Sequence, residues 1–179
     1  MTPEQFWRSY AFKPFELVRG QVVPLASLGF RYAIVALRVG MALEDQTEAR
    51  GLGEVVRASC AFRLGVDTVR VPSVAYLSPE QLARHPYPYD YVPFAPLIVA
   101  EVFKQADDSP QVRELIVDYI RAGTQTLWGL FPNYDRLGVY RRGAVQYLRP
   151  GDTLREPLLP HLALPVAQLL PRRRLSRES

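Results

Sequence analysis

Apolar and polar positions alternate in short runs along most of this chain, and helical spacing shows in only a few segments. Thr2-Pro3-Glu4 opens a short helix with a hydroxyl cap, a proline at the first helical position and an acid in the first turn. Phe15 to Val18 and Gln21 to Leu25 form two strand-like runs around Arg19-Gly20, a hairpin pattern. Ser27 to Arg50 is the longest helical stretch. Ile34, Leu37 and Met41, with Val35, recur there at helical spacing, and Gly51 marks its stop.

The next block is rich in strands. Leu52 to Leu64 and Thr68 to Leu77 are expected as consecutive strands joined through Gly65-Val66-Asp67, and Ser78-Pro79 starts a short helix. His85 to Pro93 holds three tyrosines (Tyr87, Tyr89, Tyr91) among prolines and is expected as a loop. Its rings either pack on one another, stack bases or seal a dimer interface.

Leu97 to Phe103 is apolar on both faces except at Glu101, the pattern of a buried central strand. A helix from Ser109-Pro110 to Ala122 ends at Gly123. Thr126 to Phe131 is a further strand. Leu137 to Arg141 and Ala144 to Leu148 form a hairpin about Arg142-Gly143, and a short helix follows at Val166 to Leu170. This order predicts an α/β fold with a mixed central β-sheet flanked by helices, preceded by an N-terminal helix and hairpin.

At 179 residues the chain suits one domain, placed here at 1–170 with a basic tail at 171–179 that carries Arg172, Arg173, Arg174 and Arg177. No run of 18 apolar residues offers a transmembrane helix, and the N-terminus lacks a signal-peptide pattern. The lone Cys60 sits in an apolar run, which fits an inert core thiol and a reducing, cytoplasmic setting. A net charge of +4 permits nucleic-acid contact without requiring it. The 22 basic residues include only two lysines, Lys13 and Lys104, which leaves few candidates for lysine chemistry.

Glu101 carries the functional question. A carboxylate within a buried strand costs several kcal/mol, roughly, unless it is paired, protonated or bound to a metal. Strand parity sets Val99, Glu101 and Phe103 on one face, with Ala100, Val102 and Lys104 on the other. Either a nearby arginine neutralises Glu101, or Glu101 ligates a hard cation such as Mg²⁺. The preceding strand offers Ser73 where a second acid would complete a metal site. Asp107 and Asp108 suit an N-cap of the following helix. Asp67 lies six residues from Ser73, about 20 Å along an extended strand and too far to substitute. His85 and His161 show no metal-ligand spacing.

Four segments resemble a known family. They are Phe15-Glu16-Leu17-Val18-Arg19-Gly20-Gln21-Val22-Val23, then Phe62-Arg63-Leu64 followed by Val69-Arg70-Val71-Pro72-Ser73-Val74-Ala75-Tyr76, then Ala95-Pro96-Leu97-Ile98-Val99-Ala100-Glu101-Val102. The fourth is Val112-Arg113-Glu114 through Tyr119, Ala122-Gly123 and Trp128. Together they are similar to the Uma-two family of restriction-endonuclease-like proteins, over about Thr2 to Leu170.

The resemblance implies the PD-(D/E)XK nuclease fold and Mg²⁺- or Mn²⁺-dependent cleavage of DNA. Glu101 and the Val102 carbonyl would be metal ligands, with Ser73 at the place of the family's aspartate. Glu16 would line the site as an acid, and Lys104 is the nearest lysine available for catalysis, although parity sets it on the opposite face. The chain departs from the family at Ser73, at Gln21 for a glutamate, at Leu115 for a lysine and at Phe131 for an aspartate. Three functions stay open: a nuclease, a catalytically weakened nucleic-acid-binding relative, and a protein-interaction module. By analogy with the fold, a homodimer is expected.

Overall fold

A computed structural model describes residues 1–25, 27, 29–47, 50–57, 60–84 and 91–170. The basic tail and the stretch from His85 to Asp90, with Tyr87 and Tyr89, lie outside the described residues.

Local signals set most of the elements. Helix α1 (Pro3–Tyr10) begins with a reciprocal cap, in which the Gln5 N–H donates to Thr2 Oγ1 and the Thr2 N–H donates to Gln5 Oε1. Strands β1 (Phe15–Val18) and β2 (Gln21–Pro24) pair antiparallel across Arg19 and Gly20. Their φ angles of 48° and 76° are the left-handed pair that a tight hairpin turn requires. Helix α2 (Phe30–Thr47) follows.

The chain then lays down four short strands: β3 (Glu54–Arg57), β4 (Phe62–Arg63), β5 (Val69–Arg70) and β6 (Val74–Leu77). After helix α3 (Pro79–Ala83) come β7 (Ile98–Val102), α4 (Pro110–Ala122), β8 (Thr126–Phe131), β9 (Arg136–Arg141) and β10 (Ala144–Leu148). A hairpin of β11 (Thr153–Glu156) and β12 (Leu159–Pro165) leads into the short α5 (Val166–Leu169).

The central sheet has six strands in the order β10-β9-β8-β7-β6-β3. Strands β7 and β8 run parallel, joined through α4, and their neighbours pair antiparallel, so the sheet is mixed as the sequence predicts. One sheet face packs Ala100, Val102, Trp128 and Leu130 against Val35, Val39 and Leu43 of α2 and against the C-terminal hairpin. The other face packs Val99 and Leu127 against Tyr119 of α4. A second, four-stranded sheet in the order β2-β1-β5-β4 sits with α1 over its own small core of Phe6, Leu17, Ala61 and Val69.

Three expectations change. The two long strands expected over 52–77 are four short ones, because the chain crosses between sheets: β3 and β6 pair in the central sheet, β4 and β5 in the smaller one. Helix α2 buries Val35, Val39, Leu43 and Thr47, whereas Leu37 and Met41 are 46% and 49% exposed. The docked face includes Gly40, where an added Cβ would lie 2.4 Å from Arg57 Cδ, and this small residue gives no hydrophobic signal. The β11–β12 hairpin was not expected, since a register shift at Arg155/Glu156 interrupts its alternation.

Candidate functional site

Glu101 is buried in β7 on the face toward α4, as parity requires. Ser73 stands at the entrance of β6, whose Val74 pairs with Ala100 of β7. This register sets Ser73 against Glu101. Both Ser73 donors point to one oxygen: Oγ donates to Glu101 Oε2 at 2.7 Å and the Ser73 N–H at 3.1 Å. The Val102 N–H in turn donates to Ser73 Oγ at 3.4 Å. Burial raises the Glu101 carboxyl to about 7, with the nearby Glu16 charge adding to the rise. The Ser73 hydrogen bonds and the Arg70 charge act in the opposite direction.

A second group of charges converges on the same face. Glu16, on β1, is buried and accepts from Arg70 Nη1 at 2.9 Å and from the Val71 N–H at 2.8 Å. Arg70 reaches across with Nη2 to Asp118 of α4 at 2.6 Å. Arg19, in the hairpin turn, pairs with Glu114 and lies 3.8 Å from Asp118. Arg70, on β5, is therefore the clamp that holds β1, β5 and α4 together. Two buried polar atoms in this region, Arg70 Nε and Tyr119 Oη, have no hydrogen-bond partner among the described residues. Burial, together with the Glu101 and Glu16 charges, holds the Tyr119 phenol well above its ordinary value.

The structure brings Glu101, Ser73, Val102 and Glu16 into one neighbourhood, with Arg70 neutralising Glu16 and Asp118 ahead of Glu101. Lys104 is not brought there. It donates to the Ser27 carbonyl at 3.0 Å and lies over the Tyr32 ring, beside α2. Asp107 does not cap α4: Ser109 does, accepting from the Val112 N–H, while Asp107 binds Arg136 and the Tyr147 hydroxyl. Asp108 is exposed. Leu115 packs against the α4-side core, Phe131 stacks on Phe103 at 5.2 Å, and Gln21 is exposed. Asp67 stays in its turn, accepting from the Gly20 N–H and from Thr68 Oγ1.

Sequence reasoning missed Arg70 and Asp118 as partners. Asp118 sits at an ordinary position on an amphipathic helix. Arg70 occupies a strand position that an exposed arginine would fill equally well. The register of β1 with β5 brings Arg70 beside Glu16, and the packing of α4 brings Asp118 to the same guanidinium.

The family profile of putative restriction endonucleases, Uma2, matches residues 3–167. The chain belongs to the Uma2 family. Among solved structures, the chain is similar to the crystal structure of a putative nuclease belonging to DUF820 from Anabaena variabilis ATCC 29413. That structure superposes with a TM-score of 0.76 at 18% sequence identity, covering 94% of this chain and 97% of that one. The likeness establishes the nuclease fold. No match is found among curated proteins.

Nucleases of the restriction-endonuclease type generally use divalent metals, which take several oxygen ligands each, carboxylates foremost. In this Uma2 chain Ser73 directs both donors at one Glu101 oxygen, and Arg70 engages Glu16 and Asp118. Among the described residues no three His, Cys, Asp or Glu side chains are grouped so as to hold a metal ion. The donor set does not fit a resident Mg²⁺ or Mn²⁺.

Proposed function

We propose that this Uma2 protein binds nucleic acid, DNA foremost, on a nuclease scaffold whose metal-dependent phosphodiester hydrolysis is weak or lost. The observation that carries the reading is the pairing of Ser73 with Glu101. Phosphoryl-transfer catalysis rests on positioning and on charge supplied by metal ions. A serine hydroxyl brings no negative charge, and here it acts as a donor to the carboxylate. A lysine for water activation is absent as well: Leu115 stands at the family's lysine position, and Lys104 is engaged beside α2.

Two further readings accompany it. A second copy of the chain is the proposed protein partner, supported by the exposed apolar stripe of Phe30, Leu37 and Met41 on α2. The single Cys60, half-buried with its thiol pushed up by burial, supports a reducing cytoplasmic setting. Among the described residues no helix is long and apolar enough to cross a membrane.

Incubation of supercoiled plasmid with the protein and Mg²⁺ or Mn²⁺ tests the reading, beside gel-shift titrations over a range of salt. The proposal expects salt-dependent binding and no cleavage above that of Glu101→Ala. Cleavage that disappears in Glu101→Ala would overturn it in favour of a working nuclease.

A further inference from the structure

A cavity of about 170 Å³ lies between α1, the turn after it and the start of β1. Its walls include Phe6, Trp7, Tyr10, Phe12, Phe15 and Lys13, and among the described residues no carboxylate residue lines it. The rings are ordered among themselves. Phe6 stacks on Tyr10 at 5.6 Å, Phe15 meets Tyr10 edge-on at 5.3 Å, and Trp7 tilts against Phe12 at 5.5 Å. Val71, also on the wall, is the residue whose N–H holds Glu16, two positions before Ser73. The cavity therefore adjoins the candidate site.

Phe12 is the informative residue. Its φ of 61° lies in the left-handed region, which a bulky side chain rarely adopts. Its side chain is nonetheless 89% exposed, so no burial of its own offsets that strain. A strained backbone that holds an aromatic ring in solvent at the mouth of an aromatic cavity points to a ligand. Lys13, the next residue, donates to the Ser9 carbonyl at 2.8 Å and lies 5.6 Å from the centre of the Tyr10 ring, leaving ammonium hydrogens for a phosphate. Planar rings beside a cation, with no acid, suit a base and its backbone phosphate better than an apolar peptide.

We infer that this cavity takes an unstacked nucleobase of a single-stranded segment, stacked against Phe12 and Trp7, with Lys13 on the adjoining phosphate. The inference rests on the nucleic-acid reading above and adds to it a base-binding position next to the Glu101 site.

The test compares fluorescence anisotropy of a labelled oligothymidylate with that of an abasic strand of equal length, using the natural protein and Phe12→Gly. Glycine accepts the positive φ, so the variant removes the ring without threatening the fold. The natural protein is expected to bind oligothymidylate about 5- to 150-fold more tightly than the abasic strand, the range that one stacked base contributes. Phe12→Gly is expected to bring oligothymidylate down toward the abasic strand and to leave abasic binding and its salt dependence unchanged. Equal affinity of the natural protein for both strands, or unchanged oligothymidylate binding by Phe12→Gly, would overturn the base site while the nucleic-acid reading stands. Absence of binding to either strand overturns the base site, and it overturns the nucleic-acid reading as well when the salt-dependent gel shift of plasmid DNA is also absent.

Discussion

Ser73 and Glu101 face each other across β6 and β7, and the serine gives both its hydroxyl hydrogen and its backbone N–H to the same carboxylate oxygen, at 2.7 and 3.1 Å. In the proposed reading this contact occupies the carboxylate oxygen that a cation would otherwise take. It also partly compensates a carboxyl group that burial pushes toward neutrality.

That carboxyl gives the protein a pH-dependent weakness. Glu101 titrates near 4.5 when unfolded and at about 7 when folded, so between those values the folded state holds more protons. Stability therefore falls as pH rises through this window, and the penalty is complete above about 7. Glu101→Gln, which keeps an oxygen to accept from Ser73, is expected to raise stability by up to roughly 3 kcal/mol at pH 8. It should change little at pH 4.5. Urea unfolding at the two pH values checks the difference, and an equal effect at both would contradict it.

Arg70 is expected to be the costliest polar side chain to remove. Arg70→Met leaves Glu16 and Asp118 without their shared partner, a loss of about 3–5 kcal/mol for a buried pair broken from one side. Adding Glu16→Gln relieves one of the two stranded charges, so the double variant should be less destabilised than the two single costs added together. Chemical denaturation of the four proteins in the cycle measures this.

The hydrophobic pattern of α2 was legible, but its buried face was not. Leu37 and Met41 look like core positions in the sequence, and Val35, Val39 and Leu43 hold that place because Gly40 lets Arg57 of β3 come close. Other features were readable from local chemistry alone: both capped short helices, the Arg19-Gly20 turn, and β7 with its inward Glu101. Ser73 opposite Glu101 was also foreseeable, since adjacent strands and parity determine it. The Glu16–Arg70–Asp118 cluster was not, because its members lie 54 and 48 residues apart and meet only through sheet register and the packing of α4. The β11–β12 hairpin escaped for another reason, a bulge that breaks its alternation.

The exposed stripe on α2 predicts self-association. Sedimentation or light scattering of the natural protein should give twice the 20.3 kDa chain mass. Leu37→Glu combined with Met41→Glu should give a monomer, with stability within about 0.5 kcal/mol per site of the natural chain, because neither side chain is in the core. A monomeric natural protein would leave this face without its proposed partner.

Glu156 tests the C-terminal hairpin as an anchor of the sheet. Its buried carboxylate accepts from Trp128 Nε1, Thr126 Oγ1, Arg141 Nη2 and the Leu158 N–H. Glu156→Ala strands the buried indole N–H and hydroxyl and should cost about 2–4 kcal/mol, read as a lower midpoint in urea. Retention of the midpoint would show that the hairpin contributes little.

The most direct measurement is isothermal titration of Mn²⁺ and Mg²⁺ into the natural protein, Glu101→Ala, Ser73→Asp and Ser73→Asp/Glu101→Ala. A site closed by the Ser73–Glu101 contact predicts no binding heat from the natural chain, binding in Ser73→Asp, and its loss again in the double variant. Binding by the natural chain that vanishes in Glu101→Ala would contradict the account and place a working metal centre at Glu101.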